Sequence, residues 1–459
     1  MLGIGLDFGT TNSTLAVFDG QSISYVEIDP FAPNPYVMPT ALYLNEEYIP
    51  TIGTQAILQY LEENEGRRVR LTREKLGEVK VTHAEVGTIH VSVHANVDRD
   101  MPGQLFHGLK RWLGDPKLEQ IKVLHRDYRT VALITPIFEH IKKVAEDTLG
   151  VPITALHIGR PIKFEGASED SNQIALRRLK EASNHAGFQQ PLFYPEPLGA
   201  TLGYLSQHER AVGDIILTFD FGGGTLDLSL IGIREKGFDI LATHGVTIGG
   251  VKIDQEIYAP KIFPKLGKNT MVKCPPISSA SVLPFGFYRF AEDLLNWKNT
   301  HSLNTDENIR LIDYGIANSD ETGARRLKRL KTLILSNMSY SVHKAIEDAK
   351  IQLSEYGRTK ITVPEIDLSE NIYRAEFEDI IADIILALDK GVDILLEKAL
   401  ISPEDISVVV RTGGSAQISA INYMLMAKFP DKVVEYDVFK SIASGLAIAN
   451  YYGYEYNPT

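Results

Sequence analysis

The period of apolar and polar positions changes several times along this chain. Gly3-Ile4-Gly5-Leu6-Asp7-Phe8-Gly9-Thr10-Thr11-Asn12-Ser13-Thr14-Leu15-Ala16-Val17 reads as an apolar strand, a tight glycine turn with small polar residues, and a second alternating strand. Ile215-Ile216-Leu217-Thr218-Phe219-Asp220-Phe221-Gly222-Gly223-Gly224-Thr225-Leu226-Asp227-Leu228-Ser229-Leu230 repeats the design far downstream. Two hairpins with Asp-Phe-Gly at the tip predict a duplicated domain. Between them, Ala155-Leu156-His157-Ile158-Gly159-Arg160-Pro161 predicts a strand ending at proline, followed by a polar helical stretch from about Ser168 to Ala186.

Val79 to Val97 alternates as a strand or hairpin and predicts a small subdomain. Tyr258 to Asn318 carries Pro, Gly and Asn clusters and gives weak periodicity. A helical pattern returns from Glu321 to Ser354 and again from Phe377 to Leu400, where Phe377, Ile380, Ile381, Ile384, Leu388, Val392 and Leu395 fall near helical spacing. Ser402 to Asp405 then reads as a turn, Ile406 to Val410 as a buried strand, and Gly413-Gly414 as a turn that lets a phosphate or base approach. Strands alternating with helices make this an α/β protein.

Composition narrows the picture. With 459 residues, 44% hydrophobic and 23% charged, the chain can bury a large core in more than one domain or lobe. A net charge of −12 supplies no footprint for a polyanionic backbone, so nucleic acid is not expected as a partner. The single cysteine, Cys274, excludes an intrachain disulfide and a cysteine-built zinc site. No run approaches the roughly 18 apolar residues of a membrane span, and MLGIGLDFG does not read as a signal peptide, so no membrane partner and a cytoplasmic location are expected.

Glycine-rich turns leave several backbone N–H groups facing one concavity and bind phosphate without a cationic surface, which suits an acidic protein. Asp7 and Asp220 at the turn mouths offer hard oxygens, directly or through waters, to the Mg²⁺ that accompanies a nucleoside triphosphate, and Thr10, Thr11 and Thr225 add hydroxyls. A protein-kinase reading of Asp-Phe-Gly fails on spacing. After His125-Arg126-Asp127 the position needing Asn is Ala132, and no Gly-Lys-Ser/Thr loop occurs either.

Asp7-Phe8-Gly9-Thr10-Thr11-Asn12-Ser13 resembles the first phosphate motif of the DnaK-type heat-shock protein 70 family, and Asp220-Phe221-Gly222-Gly223-Gly224-Thr225-Leu226-Asp227 resembles the second. Gly108-Leu109-Lys110-Arg111-Trp112-Leu113-Gly114, Pro161 and Tyr194-Pro195-Glu196-Pro197-Leu198-Gly199-Ala200 are similar to further family segments, in order. So are Glu347-Asp348-Ala349-Lys350-Ile351-Gln352-Leu353-Ser354, Arg374-Ala375-Glu376-Phe377-Glu378 and Gly413-Gly414-Ser415. The resemblance spans essentially the whole chain, and the short YegD-like members look nearest.

This resemblance implies an actin-like ATPase (ribonuclease H-like) fold, with two lobes and a nucleotide, ATP or ADP, in the cleft between them. Lobe I would span 1–209 (core 1–40 and 135–209, small subdomain 41–134), completed by 436–459. Lobe II would span 210–435 (core 210–250 and 385–435, small subdomain 251–384). It further implies that Asp7, Glu196, Asp220 and Asp227 hold a Mg²⁺–water shell. Gly9, Thr10, Thr11, Asn12, Gly222, Gly223, Gly224 and Thr225 would cradle phosphates, and Lys110 would place the attacking water, with Glu196, Asp220 and Thr225 beside it in catalysis. Glu347, Lys350, Ser354, Gly413, Gly414, Ser415 and Gln417 would contact the nucleoside. The implied activity is slow Mg²⁺-dependent ATP hydrolysis in a chaperone-like or regulatory role, through a protein partner or client.

Three departures modify that expectation. Ile351 and Gln417 stand where the family pairs two arginines around adenine, so cation–π stacking is not expected. The sequence ends at Thr459 with no linker or β-sandwich, so peptide clamping by a downstream domain is not expected. Leu176, flanked by Arg177 and Arg178, occupies the position of the family's coupling arginine. A sugar-type kinase, a filament-forming relative and a nucleotide-sensing scaffold use the same fold and stay open alternatives. The bland reading of Lys110 is a solvated helix face. His90 with His94, and Arg67, Arg68, Arg70 and Arg73, read most simply as solvated side chains.

Overall fold

The computed structural model describes residues 2–83, 87–98, 100–164, 170–235, 237–273, 282–436 and 440–454, and for 71 and 73–97 the backbone only. Cys274 and the side chains of Arg73, His90 and His94 lie outside the described residues.

Both predicted hairpins form. Gly3–Phe8 pairs antiparallel with Asn12–Phe18, and Ile215–Phe221 with Leu226–Ile233. Around each hairpin the same five-strand order is built. In the first sheet it runs Gln190–Pro195, Ala155–Arg160, Gly3–Phe8, Asn12–Phe18, Ile23–Tyr25, with Met38–Pro39 pairing the fourth strand. In the second it runs Val433–Glu435, Val408–Thr412, Ile215–Phe221, Leu226–Ile233, Phe238–Val246. In both, the outer two strands run parallel to the hairpin's first strand and the last is an antiparallel extension. The duplication read from two loops is therefore a duplication of whole sheets.

The strands are apolar on both faces because both faces are covered. Ile4, Leu6, Phe8, Leu156 and Ile158 pack on the helix Thr130–Leu149 and the helix Ser171–His185. Leu217, Phe219, Phe221, Leu226 and Leu228 enter a separate core beside the second sheet. The opposite faces look toward each other across two helices, Glu196–Leu205 and Ser441–Tyr452, which share a core with Ile216, Ile231, Val408 and Val410. Strand alternation then places Asp7 on the Gly3–Gly5 face and Asp220 on the Ile216–Thr218 face. Both carboxylates thus face the space between the sheets.

Elsewhere, Ala41–Asn45 sits between Pro50–Ile52 and Gly103–His107, and Leu71–His83 pairs with Gly87–Asp98 as the expected hairpin. The weakly periodic Tyr258–Asn318 segment contributes the end of Gly250–Lys261, then Tyr288–Leu294 and Asp306–Asn318. Tyr288–Leu294 is short, and Phe263, Phe285, Phe287 and Phe290 pack among themselves from separate elements, so this stretch writes no long stripe, whereas Asp306–Asn318 buries Ile309 and Ile312 on one face. The Glu321–Ser354 pattern is two helices, Glu321–Leu335 and Ser339–Glu355, divided at Asn337, whose φ of 49° is left-handed. The helix expected from Phe377 to Leu400 begins at Arg374 and breaks at Ile381. The Ile406–Val410 strand is shifted to Val408–Thr412. Arg67 pairs with Asp98 at 2.7 Å and Arg68 reaches Asp306 at 3.6 Å.

Candidate functional site

The two hairpin turns have one design. The Gly9 amide donates to the Asn12 carbonyl at 2.9 Å and the Gly222 amide to the Thr225 carbonyl at 3.0 Å. The tips meet. A Cβ on Gly223 would lie 2.7 Å from Thr11 Cγ2, and one on Gly224 would lie 2.9 Å from Thr10 Oγ1. Among the described residues, the amides of Thr10, Thr11, Gly223 and Gly224 find no protein acceptor. Four unpaired donors at two facing turns form a cradle that suits an anion.

Glycine is required at these tips by approach rather than by turn angle. Gly223→Val is expected to weaken nucleotide binding about tenfold or more through overpacking against Thr11, with the melting temperature nearly unchanged. Titration of the variant with a fluorescent ADP analogue checks this, and unaltered affinity would remove the tip from the binding site.

Behind the tips sit the charges. Lys110 lies on the short 3-10 turn Leu109–Trp112, anchored by the buried Leu109 and Leu113. It is 5% exposed, and its ammonium pairs with the carboxylate of Glu196, the first residue of the helix Glu196–Leu205. The solvated-helix reading of Lys110 is therefore excluded by burial. Asp227 lies opposite Asp220 in the second hairpin. It accepts the Thr225 hydroxyl at 2.7 Å and the Ile162 amide at 2.7 Å, joining the second hairpin to the chain just after Pro161.

One ammonium thus faces four carboxylates. Burial, then Glu196, push Asp7 up to about 7, with Lys110 pulling the other way. Burial and Glu196 do the same to Asp227, also to about 7, against the Thr225 and Ile162 hydrogen bonds. Asp220 rises well above the carboxylate range through burial and the charges of Glu196, Asp227 and Asp7. Burial works to lower Lys110, but Glu196 and Asp7 outweigh it and hold the ammonium charged. Such an excess of buried negative charge fits a divalent cation. Among the described residues no three His, Cys, Asp or Glu side chains are grouped to ligate an ion directly.

Because Asp7 and Asp227 move from 3.8 to about 7 on folding, the folded chain holds more protons than the unfolded chain between those values. Stability in EDTA is therefore expected to fall as pH rises through that window and to level off above it. Asp7→Asn should flatten the slope, and Mg²⁺ should stabilise the wild type more at pH 8 than at pH 5. Melting curves across pH test this, and equal slopes in wild type and variant would count against it.

The expected nucleoside contacts divide in two. Lys350 and Ser415 meet at Gly250, where a Cβ would lie 3.5 Å from the Lys350 ammonium and 2.2 Å from the Ser415 hydroxyl. The Gly250 amide donates to the Gly222 carbonyl at 3.0 Å, so this corner continues from the second tip. Gly413, at φ +88°, passes close to Phe221 and Asp220, and Gly414 is exposed beside it. By contrast, Glu347 pairs on the surface with Lys344 at 2.9 Å, and the Ser354 carbonyl accepts the Ser419 hydroxyl at 3.0 Å. Gln417 reaches Glu435 at 3.4 Å, and Ile351 is half exposed.

Sequence reasoning missed several residues here. Asp254 pairs with Lys350 at 2.7 Å. A side chain at Gly159 would meet Glu196. Gly249-Gly250 at the start of a helix was an available signal, whereas Asp254 carried none. Leu176 is partly buried and Arg177 exposed, but Arg178 is buried and donates to backbone carbonyls of the Lys110 segment.

No helix among the described residues is long and apolar enough to cross a membrane. The sequence model of the family described as "Hsp70 protein" matches residues 3–272 and 310–450. The chain is similar to the chaperone protein dnaK of Gracilaria tenuistipitata var. liui, 24% identical over 464 residues that cover 97% of this chain and 59% of that protein. It is also similar to the chaperone protein dnaK of Cyanophora paradoxa, 25% identical over 466 residues that cover 95% and 57%. The chain thus spans somewhat under two thirds of the length of these relatives.

Proposed function

Since this chain belongs to the Hsp70 family and has the actin-like ATPase fold that membership implies, we propose that it binds ATP and hydrolyses it slowly with Mg²⁺, as a chaperone-type or regulatory ATPase. The observation that carries this reading is the pair of glycine hairpins meeting tip to tip in front of Lys110, Glu196, Asp7, Asp220 and Asp227. In this reading residues 1–209 with 436–459 form one lobe and 210–435 the other. In support, all strands of the first five-strand order lie in the first range and all of the second in the second.

The tip amides and the hydroxyls of Thr10, Thr11 and Thr225 would hold the phosphates, and Gly413, Gly414, Ser415 and Lys350 the nucleoside. Asp7, Asp220, Asp227 and Glu196 would hold the hydrated Mg²⁺, which when bound supplies charge neutralisation at the phosphate oxygens. Lys110 orients the attacking water, and Glu196 fixes the ammonium in place. Positioning and preorganised charge carry the chemistry, and no covalent intermediate on the protein is required. A partner or client protein completes the task, in the cytoplasm.

Single-turnover hydrolysis of ATP with Mg²⁺ and with EDTA tests the proposal. Cleavage that depends on Mg²⁺ is the expected result. Bound ATP that is never cleaved would reduce the protein to a nucleotide-sensing scaffold, and absence of nucleotide binding would overturn the reading.

A further inference from the structure

Lys110 is carried by a turn of four residues, too short to hold an ammonium in place by itself. Its carbonyl end is met by Arg178, which projects from the helix Ser171–His185 and is 5% exposed. Arg178 Nη1 donates to the carbonyls of Trp112 at 3.2 Å, Leu113 at 2.9 Å and Asp115 at 2.8 Å. A buried guanidinium at the carbonyl end of a helical turn satisfies the acceptors left over there and opposes the local dipole.

The same helix is tied to the other side of the site. Asn172 donates to the Ile162 carbonyl at 3.0 Å and accepts the Phe164 amide at 2.8 Å. Ile162 in turn donates to Asp227. One helix therefore touches, through its first turn, the segment bound to Asp227 and, through Arg178, the turn bearing Lys110. Nothing in the local sequence marks Arg178 for this, since Arg177 beside it is exposed.

We propose that Arg178 is a positioning residue for Lys110, and that the helix Ser171–His185 holds the Lys110 turn in register with the Asp227 hairpin. This rests on the ATPase reading only for its kinetic consequence. Its structural consequence can be read without nucleotide.

The test labels surface-accessible amines of the full-length chain with an N-hydroxysuccinimide ester and follows each lysine by peptide mass spectrometry. In Arg178→Gln, Lys110 is expected to react about tenfold faster than in wild type, the increase in local opening that follows loss of charged hydrogen bonds. Lys261 and Lys350, buried in ion pairs elsewhere, should keep their wild-type rates. Arg178→Lys, which keeps the charge and part of the donor set, should fall between, and it carries the same comparison if Arg178→Gln does not fold. In single-turnover hydrolysis the rate should fall on the order of 100-fold with nucleotide affinity retained.

An unchanged Lys110 labelling rate in a folded variant overturns the proposal, as does a parallel rise at Lys261 and Lys350, which would mark general loosening. Faster Lys110 labelling in a protein whose wild type never cleaves ATP would sink the ATPase reading and leave the positioning role standing. Unchanged labelling beside an active wild type would do the reverse.

Discussion

Lys110→Ala is expected to slow single-turnover ATP hydrolysis by roughly 100- to 1000-fold, the usual cost of losing one preorganised group that acts on the reacting atoms, while leaving nucleotide binding largely intact. The split follows from where the side chain sits. The unpaired amides proposed to hold phosphate belong to the two turns, whereas the ammonium of Lys110 is held by Glu196. Substitution also removes the one ammonium among four carboxylates, so the remaining acids should take up protons in the absence of metal. The comparison is therefore made at saturating Mg²⁺, with nucleotide affinity measured on the same preparation. Hydrolysis at the wild-type rate would exclude Lys110 from the chemistry.

Gly445→Val is expected to have the largest effect on stability, a loss above about 4 kcal/mol, seen as failure to accumulate soluble protein or as a collapsed melting temperature. Gly445 lies where the helix Ser441–Tyr452 crosses the helix Glu196–Leu205, and a Cβ there would be 1.7 Å from the Gly199 carbonyl oxygen. The obstacle is backbone, so no rotamer change relieves it. Ile442, Leu446 and Ala449 of the same helix share a core with Leu198, Leu202, Ile216 and Val410. Displacing the helix would uncover apolar surface belonging to both sheets. Glu196 begins the other helix, so nucleotide binding should fail in any fraction that stays folded. A soluble Gly445→Val protein with an unaltered melting temperature would show that the crossing is not close-packed.

How far the chain could be read in advance depended on the distance over which each feature is written. The hairpins were legible because a strand, its turn and its partner strand occupy about fifteen consecutive residues, with the alternation and the glycines all local. The short helix Tyr288–Leu294 was not, because Phe263, Phe285, Phe287 and Phe290 are buried against one another from separate short elements and leave no period to detect. The break at Asn337 was hidden for a different reason: asparagine tolerates a left-handed backbone but does not announce it. Among the expected site residues, Lys350 and Ser415 come to the second hairpin tip, whereas Glu347, Ser354 and Gln417 are placed by contacts with Lys344, Ser419 and Glu435.

The sequence by itself determined that two glycine turns of one design exist, that an aspartate stands at the mouth of each, and that each joins an apolar strand to a second strand. Those properties follow from backbone conformation and residue period, which neighbours along the chain dictate. Only the tertiary structure decided that the turns face each other, that Lys110 is buried against a glutamate 86 positions away, that Asp227 holds the Ile162 amide, and that Arg178 rather than Arg177 turns inward. The charge and the hydrogen bonds of a side chain acquire their meaning from partners that folding brings together, and a buried ion pair and a solvated lysine are spelled alike until it does.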